Sequence, residues 1–516
     1  MYARRPLTAA IALLLAFAIP ARAVAAIPAI TVIDIYPGDD GYSYALDKST
    51  NAQVVVGNQI FFAADSASGS SQLWVSDGTT GGTHLVKAIS PSGNDDVLYI
   101  VAFGDSVMFR ANDDVHGIEL WISDGTESGT HMVADINPGD ADNSDPLNLY
   151  YWNGAVYFSA DDGMNGKELW KSDGTTIGTV LIENINSGNG NSYPGEFSAL
   201  GSKLLFTAQD DTYGIELWST DGTVGGAHRV KDLNPTGDSY PYQLVKSGNT
   251  VFFMAETADN GYELWKSNGT ESGTLLVADL VPGSQQANIS GRTITAFNGG
   301  VVFRRLDISG ATGSELWKSD GTAAGTVIVK DINPGAGHAV PDGLSVMGSY
   351  VYFSANDGTV GTELWRSDGT AAGTEMVKDI WEGPDAGASP IEYSGIVNNG
   401  VNAYFFATTP NDDSGDATEI WRTDGTAAGT VQIGVPGLNS QSFCDNCGSP
   451  AILIAGSHVF FRTWTETTQN ELGTFIDDSL PSTNRDDGIG TQLLVLAAGL
   501  TAAASLLARR RERRAN

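Results

Sequence analysis

The stretch Glu168-Leu169-Trp170-Lys171-Ser172-Asp173-Gly174-Thr175-Thr176-Ile177-Gly178-Thr179 decides the fold. Neighbouring residues on a strand point to opposite faces. An adjacent Leu and Trp therefore mark a strand that is covered on both sides. Ser-Asp-Gly-Thr then supplies a tight turn, because Asp and Gly both accept positive φ. Trp74, Trp121, Trp170, Trp218, Trp265, Trp317, Trp365 and Trp421 occupy the same position, in steps of 47, 49, 48, 47, 52, 48 and 56 residues. One residue after each Trp comes Ser/Thr-Asp-Gly-Thr, with Asn268 the one replacement for Asp. Spacing this regular identifies a chain copied from one unit.

Each unit reads as four short β runs. Between Thr130 and Gly174 these are 131–136, closed by Asn137-Pro138-Gly139; 147–152, closed by Asn153-Gly154; 155–160, closed by Asp161-Asp162-Gly163; and 168–171, closed by the Ser-Asp-Gly-Thr turn. Nothing in the unit has a helical period. Four such runs make one antiparallel blade. The 131–136 type of run first occurs at 31–35, and the Trp-bearing run has a ninth, decayed copy at Glu471-Leu472-Gly473-Thr474. Nine complete sets without a distinctive cap favour a closed ring over an open solenoid. The expected fold is an all-β propeller of nine blades, with eight blades and an irregular segment as the alternative count. In a shifted phase, residues 31–35 complete the last blade and clasp the ring.

The run from Glu168 to Thr179 resembles the repeat of a bacterial family named for its ELWxxDGT motif. The resemblance spans most of the chain, from 31 to 477. It implies an exported multi-repeat protein and no particular activity.

Both ends carry targeting signals. Arg4 and Arg5 precede an apolar run over 7–20, and small-x-small sites ending at Ala23 and Ala25 suit cleavage of a signal peptide, residues 1–25. The propeller is expected over 29–478 and a polar linker over 479–488. Residues 489–508 are uncharged and long enough to span a bilayer, and the Arg-rich tail 509–516 would stay cytoplasmic. This arrangement resembles bacterial surface-sorting tails. Leu480-Pro481-Ser482-Thr483-Asn484 departs from a sortase motif at Asn484, which leaves sorting and simple anchoring both open. Cys444 and Cys447 form a C-x-x-C pair, which in an oxidising compartment reads as a local disulfide.

Composition excludes several classes. The chain has 516 residues and a net charge of −33, which argues against nucleic acid or an anionic membrane surface as partner. With 41% hydrophobic residues and 11 Trp it can bury a core, so it is no disordered acidic tail.

Candidate sites follow the repeat. Acidic turns hold Asp113, Asp114, Asp161, Asp162, Asp210, Asp211, Asp357 and Asp412. Oxygen-rich loops of this kind suit Ca²⁺, while Asn and Asp also cap turns without a metal. Calcium is the one cofactor entertained. The Glu before Leu-Trp recurs as Glu119, Glu168, Glu216, Glu263, Glu315, Glu363 and Glu419. A catalytic group is seldom copied in every unit, so these read as structural acceptors for a neighbouring turn, or as partners of Lys or Arg. No catalytic motif surrounds the six His. The resulting expectation is a monomeric, exported, membrane-anchored module at the cell surface or outer envelope. It would bind an extracellular protein or glycan for adhesion or recognition, without catalysis. A polysaccharide-acting hydrolase or lyase with its site in the channel and a calcium-stabilised adhesin are the alternatives. Function is sought where the repeat breaks, at 281–295, 381–402 and 438–450.

Overall fold

A computed structural model describes residues 30–480 except 36–45, 47–51, 66–70, 140–141, 284–286, 288, 290–293, 308–310, 383–394, 412–414, 434–451, 464–470 and 478–479. The expected signal peptide, the C-x-x-C pair, the linker apart from Leu480, the 489–508 span and the basic tail lie outside the described residues, as does Asp412. Among the described residues there is no helix, and so none long and apolar enough to cross a membrane.

Among the described residues, thirty-six strands form nine four-stranded antiparallel sheets, which settles the count at nine blades. Blades 1 to 8 cover residues 53–85, 98–134, 147–183, 195–231, 242–278, 295–330, 342–378 and 397–432. In blade 3 the strands are Leu147–Trp152, Ala155–Asp161, Lys167–Ser172 and Val180–Glu183, in that spatial order. The first strand of each blade touches the first strands of its two neighbours, and blade 9 touches blade 1. The first strands therefore encircle a central channel. Blade 9 takes its three inner strands from 452–476 and its outermost from Thr31–Ile33, with Thr31 opposite Thr474 and Ile33 opposite Leu472. The N-terminal strand clasps the ring, as the shifted phase predicts.

The core is a set of wedges between blades. Leu120 of blade 2 packs with Val156, Phe158, Ala160 and Trp170 of blade 3, and Leu169 of blade 3 packs with Leu204, Phe206 and Trp218 of blade 4. In the third strands of blades 1 to 8, Leu (Ile420 in blade 8) faces the following blade and Trp the preceding one. Leu120, Leu169 and Leu217 are fully buried, and Trp121, Trp170 and Trp218 nearly so. Blade 9 follows the rule on its Leu side: Leu472, Phe460 and Ile33 close against Phe62 of blade 1. Gly473 replaces its Trp, and a Cβ there would lie 2.7 Å from the Phe461 ring.

The Ser-Asp-Gly-Thr turn closes on itself. Asp173 accepts from the Thr175 amide (3.0 Å) and hydroxyl (2.7 Å), and Thr175 Oγ1 accepts from the Gly178 amide (3.0 Å). Gly174 sits at φ 87°, where any Cβ would come within 3.2 Å of Phe103 in blade 2. Lysines then bolt turn to blade. Lys171 donates to the Gly222 carbonyl (2.7 Å) and Lys266 to that of Gly321 (2.7 Å). Lys330 and Lys378 lie over the rings of Trp365 and Trp421, 5.6 and 5.5 Å from the centroids.

Trp170→Ala empties the wedge between blades 2 and 3 and should destabilise the ring by about 3–5 kcal/mol, read by denaturant unfolding. Deleting residues 1–35 should lower the unfolding temperature and promote self-association, because it leaves the Glu471–Ile476 edge unpaired. A deletion variant that stays monomeric with an unchanged unfolding temperature would refute the clasp.

Candidate functional site

The repeated Glu is a staple between a blade and the connection that leads to the next. Glu119 accepts from the Ile136 amide (3.0 Å), the Ser144 amide (3.0 Å) and the Ser144 hydroxyl (2.6 Å). Glu168 accepts from Ile185 (2.7 Å) and the Ser192 hydroxyl (2.6 Å), and Glu216 from Leu233 (3.0 Å) and the Ser239 hydroxyl (2.7 Å). In blade 9, Glu471 accepts from the Ile35 amide (2.7 Å), so the clasp uses the same staple. Blade 1 has Gln72 instead, and the carboxylate has moved to Asp95. Asp95 takes the Ile89 and Ser90 amides (3.1 and 2.8 Å), while Gln72 Nε2 donates to it (3.3 Å). The structural reading of these carboxylates therefore holds. Burial pushes Glu119, Glu168, Glu216, Glu263, Glu315 and Glu471 up to about 7, and Glu363 up to about 8, against the hydrogen bonds that lower them.

The acidic turns lie on the face where blades cross to their neighbours, and their carboxylates organise the turns. Asp113 accepts from Val115 and His116 amides (2.9 and 2.7 Å), Asp162 from Met164 and Asn165 (3.0 and 2.8 Å), Asp210 from Thr212 and Tyr213 (2.8 and 2.7 Å), and Asp357 from Thr359 and Val360 (2.8 and 3.1 Å). Asp161 accepts from Gly163 (2.8 Å), Asp114 from Ser92 (3.0 Å) and Asp211 from Asn186 Nδ2 (3.3 Å). The ring spreads these residues over separate blades. No group of three His, Cys, Asp or Glu able to hold a metal occurs among the described residues. Ser219 Oγ meets His228 Nε2 at 3.3 Å, but Ser219 is completely buried and no substrate reaches its hydroxyl.

Symmetry breaks instead at the channel mouth on this crossing face. Each inner strand of blades 2, 3, 4, 5 and 7 starts with a bulge, two residues opposing one buried Phe of the second strand. The first bulged residue is left-handed: Tyr99 (φ 54°), Asn148 (58°), Glu196 (50°), Gln243 (55°) and Gly343 (63°). Three residues earlier the chain is left-handed again, at Asp96, Asp145, Tyr193, Tyr240 and Val340 (φ 42–48°). Glycine meets this backbone without strain; the other residues cost about 1–3 kcal/mol each, a strain that tends to gather at functional sites. Their side chains link blade to blade. Asn148 Nδ2 donates to the Pro194 carbonyl (3.1 Å), Glu196 accepts from the Gln243 amide (2.8 Å), and Gln243 Oε1 accepts from the Ile294 amide (3.3 Å).

Blades 2 and 3 make this mouth ionic. Arg110 pairs with Asp96 (2.8 Å) and with Asp145, which also takes Lys167, and its guanidinium lies 5.6 Å from the Tyr99 centroid. Blades 4 and 5 make it aromatic, with Tyr193 54% and Tyr240 44% exposed. Asn191 Nδ2 donates to the Tyr193 hydroxyl (3.1 Å). Sequence reading looked to the long insertions and missed this ring. The available signal was Ser-x-Pro at 144–146, 192–194 and 239–241, at a near-constant distance after the stapling Glu.

No protein-family model matches the chain, and no curated protein matches it. It is similar to solved structures of a puromycin hydrolase complexed with PGG (13% identity, TM-score 0.37, 72% of this chain and 57% of that one) and of prolyl endopeptidases (10%, 0.38, 74% and 55%). A puromycin-hydrolysing peptidase of Mycobacterium tuberculosis is also similar (7%, 0.35, 72% and 58%). The chain spans a little over half the length of these proteins. The expected surface module for adhesion or recognition, without catalysis, is corrected here, because the similar structures are of hydrolases and peptidases. The expectation that the chain is no enzyme falls with it. At TM-scores of 0.35–0.38 the likeness assigns no activity to this chain.

The stapling carboxyls set a pH dependence. Unfolded, they titrate near 4.5; folded, near 7 or above. Between these values the folded ring holds the extra protons, so stability is greatest below the unfolded value and falls as pH rises through 7. The turn carboxylates run the other way: the Thr175 hydrogen bonds lower Asp173, so its contribution is lost on acidification below 3.8. The unfolding temperature should be higher at pH 5 than at pH 8.5, and Glu168→Gln should flatten that dependence. A curve that climbs from pH 5 to 8.5 would contradict the assignment.

Proposed function

We propose that the ring acts on peptides, receiving extended, basic segments at the mouth of its channel on the crossing face. The single observation that carries the reading is the row of strained, non-glycine residues Tyr99, Asn148, Glu196 and Gln243 on the inner strands. Each inner strand pairs on one side only, so the edge toward the axis carries backbone donors and acceptors of the kind an extended peptide matches. The bulges turn amide and carboxylate side chains along that edge. Glu196 lies at the same opening in a chain of net charge −33, which draws positively charged segments and repels acidic ones. The reading rests on the channel mouth and not on the solved structures named above.

Glycine substitution separates this role from folding. Asn148→Gly and Gln243→Gly keep the left-handed backbone and remove the side chains; relief of about 1–3 kcal/mol of strain offsets the lost inter-blade hydrogen bonds, about 0.5–1.5 kcal/mol each, so the unfolding temperature should hold while peptide affinity falls. Fluorescence anisotropy with an unstructured basic peptide should show binding that weakens as salt shortens the Debye length from about 10 Å at 0.1 M to about 3 Å at 1 M. Mass spectrometry of the bound peptide then reports whether it is cleaved. Absence of binding at low salt to neutral and basic peptides alike would sink the reading.

A further inference from the structure

The repeat allows one mouth position to be compared between blades. In blade 2, Arg110 lies opposite Leu98 at the start of the inner strand. Its guanidinium stacks over Tyr99 and pairs with Asp96 and Asp145, with the side chain 12% exposed. An aromatic ring and carboxylates from two adjacent blades thus enclose a cation that the protein itself supplies.

In blade 5 the register is the same, but Met254 stands opposite Tyr242 where Arg110 stands opposite Leu98. The surroundings keep the chemistry of a cation site and increase it. Tyr240 takes the place of Asp96, and Tyr242 that of Leu98. Tyr262 of the third strand meets Tyr242 edge-on at 5.8 Å and 77°. The Tyr262 hydroxyl is hydrogen-bonded to Glu256, and that of Tyr240 to Asp238. Glu196 reaches across from blade 4, where it accepts from the Gln243 amide beside Tyr242. Burial and the Glu256 carboxylate push Tyr262 up to about 12, so its hydroxyl keeps its proton and its ring stays neutral. The outermost strand of blade 4 shows the same preference, with Arg229 3.2 Å from the Tyr213 centroid.

We infer that Tyr240, Tyr242 and Tyr262, with Asp238, Glu256 and Glu196, form a site for the guanidinium of an arginine in the incoming peptide. The site lies at the mouth beside the place that Arg110 holds in blade 2 and the buried Met254 fills in blade 5. This rests on the peptide reading above and adds a side-chain preference to it. Aromatic faces attract a cation through the ring quadrupole, and the planar guanidinium stacks where an ammonium makes a point contact.

The test uses the full chain and two blocked, glycine-rich peptides that differ at one central residue, arginine or its neutral counterpart glutamine, measured by isothermal titration at low salt. The arginine peptide should bind about tenfold more tightly. Tyr240→Ala, at an exposed position, should remove that preference, bringing the arginine peptide to the affinity that the glutamine peptide has for the same variant. Met254→Arg should remove it too, by filling the site from within as blade 2 does; if that buried substitution does not fold, Tyr240→Ala with Glu256→Gln still decides. Equal affinity of the two peptides for the unaltered chain overturns the arginine site and leaves the channel reading standing. A preference that survives Tyr240→Ala and Glu256→Gln also overturns it. Binding of neither peptide overturns both.

Discussion

A strand that buries both its faces cannot be the edge of anything, and the ring follows from that constraint. In every third strand but the last, Leu (Ile420 in blade 8) looks to one neighbour and Trp to the other. A single blade would expose both, and an open row would expose one at each end. Closure removes both exposures, and blade 9 achieves it with a strand from the other end of the chain. The stapling Glu depends on the same stacking. It is buried because blades press against each other, and burial raises its affinity for a proton. The amides that it satisfies belong to the connection into the next blade, so losing one staple loosens two blades.

Those features were legible because they repeat. The Trp steps, the Asp-Gly turns and the structural role of the copied Glu could be read from periodicity, and nine sets without caps pointed to a ring. Two things were hidden. Gln72 looks like a decayed Glu, and its compensation at Asp95 is 23 residues away, visible only once the connection folds back. The inner-strand bulges were hidden because their left-handed positions carry Tyr, Asn, Glu and Gln; blade 7 has the Gly343 that would have signalled one. A sequence signal for positive φ is glycine, and four of these five positions forgo it.

That substitution separates scaffold from site. The Ser-Asp-Gly-Thr turns use glycine wherever φ is positive and repeat almost without change, so they encode architecture. The mouth accepts strain in return for side chains and changes from blade to blade: ionic in blades 2 and 3, aromatic in 4 and 5, bare at Gly343. The long insertions were the natural place to seek function, yet the asymmetry of the mouth lies in short, regular segments whose side chains alone differ.

Blade 9 has a further consequence. Thr31 lies opposite Thr474, so the chain before the clasp and the chain after Ile476 leave the blade at the same end, on the face of the Ser-Asp-Gly-Thr turns. A pull that separates those two segments loads the ladder in peeling geometry, one hydrogen-bonded pair after another, instead of shearing all pairs together. Asp477, buried just beyond the strand and held by Tyr404 and Arg422 of blade 8, takes that load before the clasp does. The ring therefore has a mechanical polarity: tension enters on one face, and the channel mouth with its strained residues lies on the other.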